Sequence, residues 1–512
     1  MKKNTVLIIV IFLITYSYGE IKLPSLFSDG MVIQRNTAVS IWGLVNPSKK
    51  VKVTFGDQSH QTIAKEDGSF KIELSPMDAS SISRSLVISS ENESKKINDV
   101  LVGEVWLCSG QSNMHWPVSK SDNYELEKIN ANYPQIRMFL TELTYSSEPR
   151  NHVNGEWKIT SPETVSDFSA VAYFFGRELH NELDVPIGLI RSSWGGTTIE
   201  AWSPTKSLGN FPTVLENIES RKRRGINFDT NSVNKENKNA LDEWKIIAAK
   251  ARKEGEKPPK RPSWKHHPVI SQHFPGNLYN AMIYPHTPFN IKGVIWYQGE
   301  ANTGSNEPAK LYRYLLENLI NSWRDAFKNN FSFYSVQLPN FQEASGLPVQ
   351  DWGWPNIRQS FLDVHKEVQD AYMVIGIDAG QADDIHPTNK QIIGYRLAQQ
   401  VLVNDYEFDR VAGGPIYENM IIDGSNIILQ FSDIGSGLIT NDDQLLRRFA
   451  IAGDNQIFYH ASAVIKNNKV IVSHSSVDNP KAVRYAWAMN PEACNLFNKE
   501  GFPASPFRTD DW

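Results

Sequence analysis

The sequence predicts an α/β protein, in which a parallel sheet covered by helices is preceded by a small β-sandwich and followed by a second β-rich module. Three observations carry this reading. Up to about Leu101 apolar and polar side chains alternate in period two. After Val102 helical and strand patterns take turns. Beyond about Asp409 short strands return.

Taken in order, Met1-Lys2-Lys3-Asn4, the apolar run Thr5 to Thr15 and the small residues Ser17 and Gly19 predict a secretory signal peptide over 1–19, cleaved before Glu20. The run is too short to span a bilayer. From 20 to 101, stretches such as Ala38-Val39-Ser40-Ile41-Trp42-Gly43 and Val51-Lys52-Val53-Thr54-Phe55 read as half-buried strands, with turn signals such as Ser28-Asp29-Gly30 and Glu66-Asp67-Gly68 between them. They predict an N-terminal β-sandwich.

A second domain is expected over 102–407. Ala170 to Leu183 carries Val171, Phe174, Phe175, Leu179 and Leu183 at helical spacing, and the apolar strand Val185 to Ile190 follows. The pattern repeats as helix Lys310 to Phe327 before strand Phe331 to Leu338, and helix Ile357 to Val368 before strand Tyr372 to Ile377. Such alternation implies right-handed crossovers and a parallel sheet. An insertion of about 205–275 interrupts it. That segment is charged at Arg221-Lys222-Arg223-Arg224, but the stripe Leu241, Trp244, Ile247 and Ala248 predicts a structured helix that could flank the active site. The strands Asn426 to Phe431 and Lys469 to Val472 place a β-rich module, packed on the second domain, over 408–512.

Composition excludes some partners. With 52 basic and 57 acidic side chains the formal charge is −5, which gives no footprint for nucleic acid. No later segment is apolar enough to span a membrane, so none is expected after signal cleavage. Only Cys108 and Cys494 exist, which rules out a thiolate-built metal site. One bridge could form after export, but Cys108 reads better as a buried apolar residue finishing its strand. The oligomeric state is not legible.

The chemistry concentrates at Val105-Trp106-Leu107-Cys108-Ser109-Gly110-Gln111-Ser112-Asn113-Met114, where an apolar strand stops at a tight turn and displays a serine. The carboxyl end of a buried strand is where open α/β sheets place their chemistry. A serine hydroxyl needs a base within reach and a third group to hold that base. Ser112 is the candidate nucleophile. His386 is the candidate base, in a loop ahead of the helix carried by Ile393, Leu397 and Val401. Asp383 and Asp384 are the nearby acids. The backbone N–H of Ser112 would be the first donor to a developing oxyanion.

Together with Trp296-Tyr297-Gln298-Gly299-Glu300-Ala301-Asn302 and Asp383-Asp384-Ile385-His386-Pro387, the serine block resembles the SGNH-type hydrolases, specifically the sialate O-acetylesterase family. Ser28 to Arg35, Leu278 to Ile283 and Val483 to Trp487 extend the resemblance over nearly the whole mature chain. It implies a flavodoxin-like sheet in an esterase domain between two β-rich portions. It also implies an O-acetylated sugar as substrate, Ser112 as nucleophile, His386 as base, and no metal or other cofactor. The broad SGNH pattern Asp-x-x-His points to Asp383 as the orienting acid, whereas the acetylesterase pattern Asp-Ile-His-Pro points to Asp384; Glu300 is a third possibility. Gly195 or Gly196, in Ser193-Trp194-Gly195-Gly196-Thr197, is implied as the second oxyanion donor. Since this chain lacks the Gly-x-Asn-Asp block, Gln298 or Asn302 is left as the third. His115 departs from an acidic residue in many relatives. Sialic acid is the first-choice sugar and acetylated xylan fragments the second, with a sugar O-acetyltransferase and a non-catalytic sugar-binding protein as other readings. The signal peptide implies a secreted or periplasmic location.

Overall fold

The computed structural model describes residues 20–512, so the expected signal peptide lies outside the described residues. The central element is an 18-residue strand, β1 (Glu93–Gly110), that belongs to two layers. Its first part alternates exposed side chains with partly or fully buried ones and pairs antiparallel with Ser80–Ser90 of the N-terminal sheet. From Val100 to Gly110 every residue is buried. Half-buried antiparallel strands read as alternation and parallel ones as continuous apolar runs, and this strand does both in turn. The boundary expected at 101/102 therefore falls inside a strand.

The parallel sheet is completed by β2 (Tyr133–Thr141), β4 (Ile187–Ser193), β5 (Gly293–Tyr297), β6 (Ser332–Val336) and β7 (Ala371–Val374), with β3 (Gly155–Thr160) antiparallel on the β2 edge. The spatial order is β7-β6-β5-β1-β4-β2-β3. The β4-β1-β5-β6-β7 portion has flavodoxin-like order, and β2 with β3 extends one edge. After β4 the chain crosses to the other side of β1, which makes the carboxyl end of β1 the topological switch point.

Helices α1 (Ser112–His115), α2 (Ala170–Leu183), α3 (Asn306–Phe327), α4 (Gly353–Glu367) and α5 (Lys390–Tyr406) accompany these strands. The register β1/β5 pairs Trp106 with Gly293 and Ser109 with Trp296, so Trp106 and Trp296 fall on opposite faces. Trp106 packs edge-on against Phe175 of α2, and Trp296 against Trp323 of α3. Helix α2 packs with α5 and α3 with α4, so both faces are covered. The stripe Ile393, Leu397 and Val401 marks one apolar face of α5, but the helix buries side chains on most of its circumference, including Lys390, Arg396 and Gln399. The cause is its position between α2 and strands β6 and β7. The insertion forms helices Pro212–Ile226 and Thr230–Lys253.

Polar groups fasten the outer modules. Gln34 Nε2 donates to Glu104 Oε2 at 2.7 Å and its Oε1 accepts from the Val105 N–H at 2.8 Å, at the start of the parallel part of β1. The C-terminal module consists largely of two four-stranded antiparallel sheets. Arg358 of α4 is fully buried and donates to the carbonyls of Leu338, Pro339, Ala488 and Met489 at 2.6 to 2.9 Å, a seam between that module and the central domain. Both cysteines are free, and Cys108 is buried. No helix among the described residues is long and apolar enough to cross a membrane.

Candidate active site

At the end of β1 the backbone of Gly110 has φ +137, and a Cβ there would lie 2.1 Å from the carbonyl oxygen of Tyr297. Only glycine lets β1 and β5 close up at this point. The chain then turns into the short helix α1, with half-buried Ser112 as its first residue. Gly195, in the loop after β4, lies against it, because a Cβ on Gly195 would sit 3.2 Å from Ser112 Cβ. Among the described residues the backbone N–H groups of Ser112 and Gly195 donate to no backbone acceptor. Two unengaged donors beside a serine suit a developing oxyanion. Gly196 follows with φ +71 beside His273 of the insertion.

His386 lies in the loop between β7 and α5, its ring stacked on Trp116 at 4.9 Å and 14°. Its Nδ1 is 3.3 Å from Asp384 Oδ1, which also accepts the His386 backbone N–H at 2.8 Å. This leaves Nε2 for a substrate-side role. Burial holds the imidazole below its usual range, opposed by Asp384 and reinforced by Lys390. Asp383 is exposed, and among the described residues no hydrogen bond or salt bridge joins it to His386. No hydrogen bond joins His386 to Ser112 in this structure; in unliganded enzymes such bonds are often long and tighten around substrate.

Glu300 is buried, and among the described residues no hydrogen bond or salt bridge joins it to His386. Its Oε1 accepts from Asn113 Nδ2 at 2.5 Å, while Oε2 has no partner, and burial raises its affinity for a proton. The amide of Gln298 is equally enclosed. Its Nε2 faces Gln111 Oε1, the Thr197 carbonyl and Asn302 Oδ1 at 2.9 to 3.1 Å, and its Oε1 accepts from Tyr312 at 2.8 Å. Asn302 Nδ2 donates to Glu200 Oε2 at 3.1 Å. Both amides therefore tie the Gln-Gly-Glu loop to its neighbours: Gln298 Nε2 has three acceptors for its two hydrogens, and Asn302 Nδ2 gives one of its two hydrogens to Glu200. His115 is also fully engaged: Nδ1 is 3.0 Å from the Ser193 carbonyl, and Nε2 faces Arg191 at 3.3 Å. Burial and Arg191 push it down to about 4.

Two residues joined to these blocks had no assigned role in the sequence reading. Asn113 follows the serine directly, and Lys390 opens α5. The signal for Lys390 was available, because a cation in the first turn of a helix opposes the helix dipole and needs a reason to be there. Among the described residues no group of three or more His, Cys, Asp or Glu side chains is placed to hold a metal ion.

Residues 102–229 and 263–403 match the carbohydrate esterase family described as sialic acid-specific acetylesterase. The chain belongs to this family. It is accordingly a carbohydrate esterase, and the unmatched residues 230–262 lie within the insertion. Sialate O-acetylesterase of Mus musculus is 28% identical over 98% of this chain and 97% of its own. The Homo sapiens protein of that name is 28% identical over 95% and 92%. A crystal structure of a carbohydrate acetylesterase from Xanthomonas citri is 32% identical, covers 96% of this chain and 100% of its own, and superposes with a TM-score of 0.81.

Proposed function

We propose that this esterase removes O-acetyl groups from sugars through an acetyl-serine intermediate, with O-acetylated sialic acid as the preferred substrate and acetylated xylo-oligosaccharides as the alternative. The observation that carries the mechanism is the pair of unengaged N–H groups at Ser112 and Gly195, beside a histidine whose Nδ1 faces a carboxylate. Ser112 Oγ attacks the acetyl carbonyl carbon as His386 Nε2 takes its proton. The two N–H groups receive the oxyanion. As the intermediate collapses, the bond to the sugar oxygen breaks and His386 returns the proton to that oxygen. Water, deprotonated by His386, then attacks the acetyl-serine and releases acetate. Asp384 steadies the imidazolium at Nδ1. Support for sialic acid comes from the names of the full-length relatives at 28% identity.

Acetate release from O-acetylated sialic acid and from acetylated xylo-oligosaccharides, measured side by side with the native enzyme and Ser112→Ala, tests this reading. Native enzyme should favour the sialic acid by kcat/KM, and Ser112→Ala should release no acetate above background. A preference for xylo-oligosaccharides overturns the substrate, and an active Ser112→Ala overturns the mechanism. Transfer of acetyl to an added sugar in preference to water would identify an acetyltransferase. Export to the periplasm or medium is part of the proposal and rests on the Met1 to Gly19 pattern; a mature protein beginning at Glu20 is the expected product.

A further inference from the structure

We propose that Lys390 and Asn113 form a buried clamp that holds the His386 loop against the Ser112 turn, with Lys390 acting as a positioning residue. The inference rests on the reading of Ser112 and His386 as the reacting pair. Lys390 is the first residue of α5 and is fully buried. Its ammonium donates to Asn113 Oδ1 at 2.5 Å and lies over the rings of Tyr297 and Trp116 at 5.5 and 5.8 Å. A lysine has donors only, so the Asn113 carbonyl must face it and the Asn113 NH2 must face the other way. That NH2 donates to Glu300 Oε1 at 2.5 Å and to the carbonyl of Ile385, the residue before His386, at 3.1 Å.

One amide thus joins the serine turn, the Gln-Gly-Glu loop and the histidine loop, and Lys390 sets which way round it sits. The contact with Trp116 gives a second path, since the same indole carries the stacked His386 ring. Both burial and the helix dipole disfavour a cation here. No carboxylate forms a salt bridge with Lys390 among the described residues; Glu300 is linked to it through Asn113. Burial lowers Lys390 to about 7, with Glu300 and Asp384 opposing the fall. The charged groups facing His386 are Asp384 on its own loop, Lys390 on α5 and Lys120 from the turn after α1, with uncharged Trp116 beneath.

Lys390→Met keeps the length of the side chain and removes its charge and donors. The expected result is a fall in kcat of at least about tenfold with KM within about threefold, since small displacements of reacting groups cost one to two orders of magnitude. A second readout separates positioning from packing. Lys390 disfavours the imidazolium, so its loss should move the acidic limb of the kcat/KM profile to higher pH. A kcat within threefold of native, or a loss of rate with the limb unmoved, overturns the clamp. Thermal unfolding is measured in parallel. If Lys390→Met does not fold, Asn113→Asp decides: it keeps an acceptor for Lys390 but offers no N–H to Ile385, and a native rate in that variant overturns the proposal. Failure of the underlying reading is distinct, because it shows as an active Ser112→Ala whatever the clamp variants do.

Discussion

One acid lies against the serine turn and another against the histidine loop, and they differ in almost every physical respect. Glu300 is enclosed at the end of β5, with one oxygen on Asn113, the other unpartnered, and burial favouring its protonated form. Asp384 stands in a loop with half its side chain exposed, yet it touches the His386 ring. Burying an ionised carboxylate costs several kcal/mol unless it is paired, so the enclosed acid is the poorer source of a fixed negative charge and the better source of a fixed shape. The exposed acid lies beside the His386 ring, where a carboxylate can stabilise an imidazolium. In the proposed mechanism burial therefore divides the labour: Glu300 holds the serine turn through Asn113, and Asp384 serves the histidine.

The largest effects belong to the groups both acids support. Ser112→Ala should lower turnover by at least about four orders of magnitude, and His386→Ala nearly as much. The double variant should be little worse than either single, because members of one catalytic unit are not additive. Additive losses would separate the two residues. Next comes the acid at the histidine. Asp384→Asn should cost at least about a hundredfold, short of the roughly 10⁴ known for a fully buried triad aspartate, whereas Asp383→Asn should stay within about tenfold. The reverse order would move the orienting role to Asp383.

The enclosed acid should respond to shape more than to charge. In Glu300→Gln the new Oε1 can still accept from Asn113, so kcat should stay within about tenfold of native. Glu300→Ala leaves the Asn113 amide without that acceptor in a buried site, a loss worth about 1 to 3 kcal/mol in stability, and should be the worse variant by both rate and unfolding midpoint. A collapse of activity in Glu300→Gln would show that its charge matters and that the division between the two regions is wrong.

The same contrast explains what the sequence could disclose. Periodicity placed the helix Ala170–Leu183 and the strands around it because their burial is set by neighbours along the chain. It marked one apolar face of α5, whereas the second buried face depends on α2, some two hundred residues away. The short blocks marked Ser112, Gly195, Gln298 and His386 as one neighbourhood, and the switch point at β1 brings their loops together. Hydrogen-bond geometry was beyond reach. Gln298 and Asn302 both carry amide donors, and only the folded loops decide that Gln298 turns its NH2 to Gln111 and Thr197 while Asn302 gives one hydrogen to Glu200. Asn113 and Lys390, linked across 277 positions, left no local trace as a pair.

The smallest expected effect, a shift in pH dependence, discriminates the two regions most directly. In the proposed mechanism the working form of His386 is the neutral imidazole, so activity should be present above its pKa and lost as pH falls through it. Burial sets that pKa below the ordinary value near 6.5, which puts the acidic limb of kcat/KM for the native enzyme below about 6.5. Asp384 opposes the fall because a neighbouring negative charge favours the imidazolium. Removing that charge in Asp384→Asn should lower the histidine pKa further and move the limb to still lower pH, even though the plateau rate drops. Asp384, Lys390 and Lys120 are the charged groups that act most strongly on His386, so Glu300→Gln should leave the limb where it is in the native enzyme. Profiles of kcat/KM for the three proteins from pH 4 to 8 compare the limbs independently of absolute rate. A limb that moves in Glu300→Gln and stays in Asp384→Asn would assign the electrostatic role to the enclosed acid, whatever the geometry at Nδ1.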